Sequence, residues 1–158
     1  ALLQKCRSAG IHTCVETAGR VPESAVRQVL PNVDCWLYDL KLYDPRRHFE
    51  HTGHTNEAIL ANAAIVAASG VDVLFRIPII PGITDDPRNL EDIAGFVQRL
   101  GGINKRVELM PYHRLGEGKY RSLDRLYPLC GVAPLAAEDL VDLQKVFEDH
   151  GLERTISS

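Results

Sequence analysis

The chain has 158 residues, 45% of them hydrophobic and 25% charged, the balance of a soluble globular domain long enough to bury a core of its own. Its formal net charge of -3 excludes the basic excess that phosphate-backbone recognition needs, and its close basic pair, Arg46 and Arg47, is followed by Glu50. No run approaches the roughly 18 to 20 apolar residues that span a bilayer, and the first residues lack the charged-then-apolar order of a secretory signal, so the expected compartment is the cytoplasm, with neither nucleic acid nor membrane as partner.

The chain opens on Ala1 rather than Met, inside an amphipathic helix over 1–9 closed by Gly10, and its single methionine is Met110. That beginning is expected of a truncated chain. Short β-branched and apolar runs then alternate with stretches of helical periodicity, the signature of repeated βα units. Strands are predicted over 11–16, 35–40, 71–77 and 106–110, with a shorter fifth over 152–156. Asp44 before Pro45 and Asp86 before Pro87 each place an N-cap acceptor ahead of a proline at the first helical position. Gly70, Gly101 and Gly151 are expected to close helices in the left-handed conformation. Leu90, Ile93, Ala94 and Val97 form one buried helical stripe, and Leu140, Leu143 and Phe147 form another.

Strands joined through helices run parallel, so the expected fold is an α/β barrel-like parallel sheet with outer helices, a single domain over 1–158. Four full units are too few to close an eight-stranded barrel. No linker divides the chain, since the irregular stretch 112–134 is too rich in Leu, Tyr and Arg for a flexible tether.

Loops after the carboxyl ends of parallel strands form the working face of such folds. Each of the four main strands delivers polar groups there: Glu16 and Thr17, then Asp39 and Lys41, then Arg76, then Tyr112, His113 and Arg114. Asp39 and Lys41 are two apart and share a side of an extended chain, so a carboxylate and an ammonium can face one ligand. A structural ion pair is the competing reading of that pair alone, but four converging strand ends suit a zwitterionic or charged small molecule. Cys6, Cys14, Cys35 and Cys130 include no Cys-x2-Cys or Cys-x3-Cys pair and read as buried reduced thiols rather than zinc or iron-sulfur ligands. His48, His51 and His54 drift round a helix that Gly53 ends, and read as a solvated face rather than a metal site. Asp85 and Asp86 read as a turn and an N-cap.

Five strings in order, Glu16-Thr17-Ala18-Gly19, Trp36-Leu37-Tyr38-Asp39-Leu40-Lys41, Thr52-Gly53-His54-Thr55-Asn56-Glu57 running on to Asn62, Phe75-Arg76-Ile77-Pro78-Ile79-Ile80-Pro81-Gly82, and Glu108-Leu109-Met110-Pro111-Tyr112-His113-Arg114, span nearly the whole chain. In that order they resemble the glycyl-radical-enzyme activating enzymes of the radical S-adenosylmethionine (SAM) superfamily. The resemblance implies a partial barrel of six βα units whose first two are lacking here, including the three-cysteine loop that binds a 4Fe-4S cluster and the segment that binds the SAM amino group. It implies that Thr17, Asp39, Lys41, Arg76 and His113 bind SAM. It also implies that Glu16, Thr17, Asp39 and the carbonyl of Leu37 surround a monovalent cation, an all-oxygen set suited to a hard ion. Many relatives have Asp where Glu16 stands.

The implied chemistry is one-electron reduction of SAM by the cluster, homolysis of its sulfonium carbon-sulfur bond, and removal of a hydrogen atom from a glycine of a partner such as pyruvate formate-lyase. A flavodoxin or ferredoxin is the implied electron donor, and no residue need act as acid or base. Pro78, Pro81 and Gly82 are expected to shape the loop that admits the glycine-bearing peptide, or a purely structural turn. Two other readings stand beside this one: a truncated binding or regulatory module that docks on a glycyl radical enzyme, and an unrelated barrel aldolase with Lys41 as Schiff-base nucleophile.

Overall fold

In the computed structural model, which describes residues 2–102 and 105–157, five strands form one sheet in the order of the chain, every neighbouring pair parallel. They are β1 (Cys14–Thr17), β2 (Cys35–Asp39), β3 (Asp72–Ile79), β4 (Lys105–Pro111) and β5 (Glu153–Ile156). The helices are α1 (Leu2–Ser8), α2 (Glu23–Val29), α3 (Pro45–Thr52), α4 (Glu57–Ala68), α5 (Pro87–Arg99), α6 (Glu117–Ser122) and α7 (Val141–Asp149). Ala1, where the sequence starts its first helix, lies outside the described residues.

Side chains alternate across a strand, so the burial pattern separates the faces of the sheet. On one face Trp36, Tyr38, Val73, Phe75, Ile77, Ile79, Val107 and Leu109 are buried. They join Val26 of α2, Ala63 and Val66 of α4, Leu90, Ile93, Ala94 and Val97 of α5, and Phe147 of α7 in one core cluster. Burying a side chain of this size contributes about 1.5 to 3 kcal/mol, so this layer holds the sheet together. The opposite face is open, and its positions are partly or fully exposed: Cys14, Glu16, Cys35, Leu37, Asp39, Leu74, Arg76, Arg106 and Glu108. Helices therefore cover one side, as in a barrel wall, and the chemistry-bearing residues lie on the other.

The helix starts form as their sequence dictates. The Asp44 carboxylate accepts from the Arg47 amide at 2.8 Å and Asp86 from the Arg88 amide at 2.9 Å, each just ahead of its proline. That amide, ahead of the Arg47 guanidinium, holds the Asp86 carboxyl below the usual carboxylate range. Asp85 turns the preceding loop by accepting from the Gly82 amide at 2.8 Å.

One expected helix stop is displaced: positive φ falls on Gly102, at +88°, rather than on Gly101. A Cβ at Gly102 would lie 2.1 Å from the Ala67 carbonyl oxygen, so the chain turns at the residue whose backbone touches α4. Gly70 and Gly151 take the left-handed conformation expected of them, and Gly53, expected to end its helix, does so in the same conformation. The 112–134 stretch is ordered, through a 3₁₀ turn at Arg114–Gly116 followed by α6.

Candidate functional site

The loops after the strands are pinned by buried amides. Thr17 accepts from the Gly19 amide at 2.9 Å, and Asn62 of α4 donates to the Gly19 and Val21 carbonyls, both at 2.8 Å. The loop after β2 is held from two sides. Asn56 donates to the Leu42 and Tyr43 carbonyls at 2.9 and 2.7 Å. Asn89 of α5 donates to the Lys41 and Thr84 carbonyls at 3.2 and 3.0 Å and accepts from the Tyr43 amide at 2.9 Å. After β3, the Thr84 hydroxyl donates to the Pro78 carbonyl at 2.5 Å and accepts from the Ile80 amide at 2.7 Å. All three asparagines are buried, and each satisfies backbone groups that a loop otherwise leaves to water. Sequence reasoning quoted Asn56 and Asn62 without a role and passed over Asn89; for Asn56 and Asn89 an amide at the start of a helix was the available signal, and for Asn62 a polar residue within an otherwise apolar helix.

The charged residues form two groups on the open face. Arg76, whose register partners are Asp39 on β2 and Glu108 on β4, donates from Nη1 to Glu16 at 2.8 Å and from Nε to Glu108 at 3.0 Å. Lys41 meets Asp39 at 2.9 Å. Four of the sequence-assigned residues, Glu16, Asp39, Lys41 and Arg76, are thus adjacent, and Glu108 is a fifth that sequence reasoning quoted without a role. Thr17 stands opposite Tyr38 and spends its hydroxyl on the Gly19 turn. Leu37 is on β2 between β1 and β3. His113 is exposed just past β4, where its ring nitrogen caps the 3₁₀ turn by accepting from the Leu115 amide at 3.3 Å.

Lys41 borders two hollows. A cavity of about 130 Å³ is lined by Ala18, Arg20, Asp39, Lys41, His48 and His54, among others. A larger, mainly apolar one of about 580 Å³ takes in Leu42, Ile80, Ile83, Tyr120 and Tyr127. A cleft of about 700 Å³ between the starts of α3 and α5 is polar, but Arg46, Arg47 and Arg88 there are already paired with Glu50, Asp86 and Asp92. The Asp39–Lys41 ion pair is partly exposed, so it can exchange internal for external partners.

Two expectations are corrected here. His48 is buried, not part of a solvated face: its Nδ1 lies 2.7 Å from the His54 carbonyl and 3.0 Å from the Thr52 hydroxyl, which fold the turn at Gly53 back over it. His51 and His54 are exposed. The cysteines are free but not buried: Cys14 and Cys130 are exposed, Cys6 and Cys35 intermediate, because Cys14 and Cys35 stand opposite each other on the open face. Burial and the neighbouring Cys14 thiol push the Cys35 thiol up. Among the described residues no group of three or more His, Cys, Asp or Glu could hold a metal ion.

Beside the larger hollow the Tyr112 and Tyr127 hydroxyls share a hydrogen bond of 3.0 Å that keeps the Tyr127 proton in place. That bond, ahead of burial, pushes Tyr127 up to about 12 from its ordinary 10. A raised folded-state value means a stability contribution complete below pH 10 and lost as pH rises through 12. Phenolate absorbance on alkaline titration is expected to show this late step, and Tyr112→Phe to return it toward 10.

No family model matches the chain. It is 39% identical over 132 residues to the (2S)-3-sulfopropanediol dehydratase activating enzyme of Klebsiella oxytoca, an overlap of 83% of this chain and 42% of that protein. The chain spans about half the length of the curated relatives it matches, which include activating enzymes of a dehydratase, of lyases and of a decarboxylase. A crystal structure of a domain of pyruvate-formate lyase-activating enzyme from Bacteroides vulgatus superposes with a TM-score of 0.80 at 27% identity, over 99% of this chain and 88% of that one. A radical SAM methyltransferase from Sphaerobacter thermophilus shares the fold at a TM-score of 0.67 and 15% identity, over 94% of this chain and 42% of that one. The ordered strand-end strings, the parallel sheet with its outer helices and these similarities agree: the chain belongs to the family of glycyl-radical-enzyme activating enzymes.

Proposed function

We propose that this chain forms the SAM-holding side of an enzyme that installs a glycyl radical on a partner protein, with the cluster ligands supplied outside these residues. The observation that carries the reading is the Asp39–Lys41 pair standing beside Arg76 at adjoining strand ends, in a family that uses SAM and a 4Fe-4S cluster. Bound there, SAM supplies the one-electron chemistry that removes a hydrogen atom from a glycine of the partner.

The chain's own residues bind and orient. The methionyl carboxylate exchanges the internal pair for an external one, taken by Lys41, while Asp39 turns to the cation beside it, so no charge is left without a partner. Arg76, locked between Glu16 and Glu108, still has guanidinium hydrogens to offer. Thr17 shapes the loop beside it, and His113 marks the adenosine side of the rim. A monovalent cation among Glu16, Thr17, Asp39 and the Leu37 carbonyl would share carboxylates that already have one oxygen engaged, by Arg76 and by Lys41.

Relatives of comparable identity serve a dehydratase, lyases and a decarboxylase, so the partner is proposed as a glycyl radical enzyme without choosing among them. In the aldolase alternative Lys41 must attack a carbonyl, and its nitrogen is engaged by Asp39 instead.

Calorimetric titration of the chain with SAM tests the proposal. Asp39→Ala and Lys41→Ala are each expected to weaken binding by about tenfold or more, the usual scale for losing a charge-assisted hydrogen bond. Undiminished affinity in both variants overturns it.

A further inference from the structure

We infer that Cys14 and Cys35 form a dithiol that closes reversibly into an intrachain disulfide by exchange with a small disulfide such as oxidised glutathione. The pairing goes beyond the SAM site and does not depend on it. Cys14 opens β1, Cys35 opens β2, and the two are register partners. Both thiols are free and both lie on the open face, Cys14 exposed and Cys35 intermediate.

The residues just before them pin that register. The Thr13 amide and hydroxyl donate to the Asp34 carboxylate at 2.8 and 2.9 Å. In return the Asp34 and Cys35 amides donate to the Thr13 carbonyl at 3.0 and 3.1 Å. Thr13 is 5% exposed, so water has little access to this clasp. A slip of one residue would turn one thiol to the face that the helices cover, and it would break these bonds. Neighbouring strands lie about 4.8 Å apart, within the roughly 4.4 to 6.8 Å that separates the Cα atoms of a disulfide. The thiols are close enough for Cys14 to act on Cys35 through charge and hydrogen bonding. Cys6, on α1, and Cys130, in a hollow with Tyr127, stand on other elements.

Cys14 is the thiol that a reagent in solution reaches. As its thiolate it attacks one sulfur of oxidised glutathione, whose S–S bond breaks as one glutathione leaves. The Cys35 thiolate then displaces the second glutathione from Cys14. Two protein thiols are oxidised to one disulfide, one glutathione disulfide is reduced to two thiols, and the two protein protons pass to the departing thiolates. The bond closes a loop of about 20 residues and ties together the two strands that carry Glu16 and Asp39, which restrains the unfolded chain.

The test equilibrates the chain in glutathione buffers of stepped oxidised-to-reduced ratio, quenches with acid, alkylates, and maps peptides by mass spectrometry. A link between Cys14 and Cys35 is expected, with Cys6 and Cys130 alkylated or carrying glutathione singly. The oxidised chain is expected to melt about 5 to 10 °C above the reduced one. Cys35→Ser should lose both the link and the shift in melting, and should accumulate glutathione on Cys14, the first step caught without its second. In urea, where the register is gone, the link is expected to need a more oxidising buffer. Glutathione on both cysteines without a link, or links only to Cys6, to Cys130 or between chains, overturns the inference. Equal yield of the link in urea overturns it as well, because the folded register then contributes nothing.

Discussion

Gly19→Ala is expected to destabilise the chain by about 4 kcal/mol, at the upper end of single-residue effects, and to shift its unfolding midpoint accordingly. Gly19 has φ of +70°, a region that disfavours any residue with a Cβ by about 1 to 2 kcal/mol. The new methyl carbon would also sit 1.6 Å from the Tyr38 hydroxyl oxygen and 2.2 Å from the ring carbon that bears it. Tyr38 is fully buried, and its hydroxyl donates to the Ile59 carbonyl at 2.7 Å, so it cannot withdraw without leaving that hydroxyl unpaired inside the core. The same burial raises the Tyr38 phenol above its ordinary range. Denaturant melts of the two single variants and the double variant with Tyr38→Phe give the coupling. Removing the hydroxyl relieves the nearest overlap but not the 2.2 Å one, so only partial rescue is expected. A Gly19→Ala chain as stable as the parent would mean that the loop after β1 does not rest on Tyr38.

What the sequence made legible was what period and local chemistry control. Alternation buried Trp36 and Tyr38 on β2 and Phe75, Ile77 and Ile79 on β3, and the 3.6-residue stripe of α5 buried Leu90, Ile93, Ala94 and Val97. Asp44 and Asp86 cap their helices because the signal and its partner lie within three residues. Contacts between distant segments were not legible. His48 looks polar and solvated by composition, yet the backbone returning at His54 encloses it. Cys14 and Cys35 look buried by residue type, yet their register on the open face leaves them beside each other and partly exposed. The positions of Asp39 and Lys41 at a strand end were readable, but the sharing of Arg76 between Glu16 and Glu108 depends on a register spanning 60 residues of sequence.

Asn89→Leu should show that the site is held from behind, through an amide that touches no ligand. Asn89 is 4% exposed and binds three backbone groups at once, the Lys41 and Thr84 carbonyls and the Tyr43 amide. Leucine has the same branched outline, though it is larger, and offers none of these bonds, leaving groups from two loops unsatisfied where water has little access. Each such loss costs about 1 to 3 kcal/mol, so a loss of about 3 kcal/mol in chemical denaturation is expected. The effect on binding should exceed what lower stability alone explains, because the freed segment carries Lys41 on the loop that follows β2. At a temperature where the variant remains folded, affinity for SAM is expected to fall several-fold. Asn62→Leu provides the comparison: it releases the Gly19 and Val21 carbonyls of the loop after β1, far along the chain from Lys41, so stability should drop with a smaller change in affinity. Equal affinity losses from the two variants would mean that both act by loosening the whole sheet rim, and that Asn89 has no particular hold on Lys41.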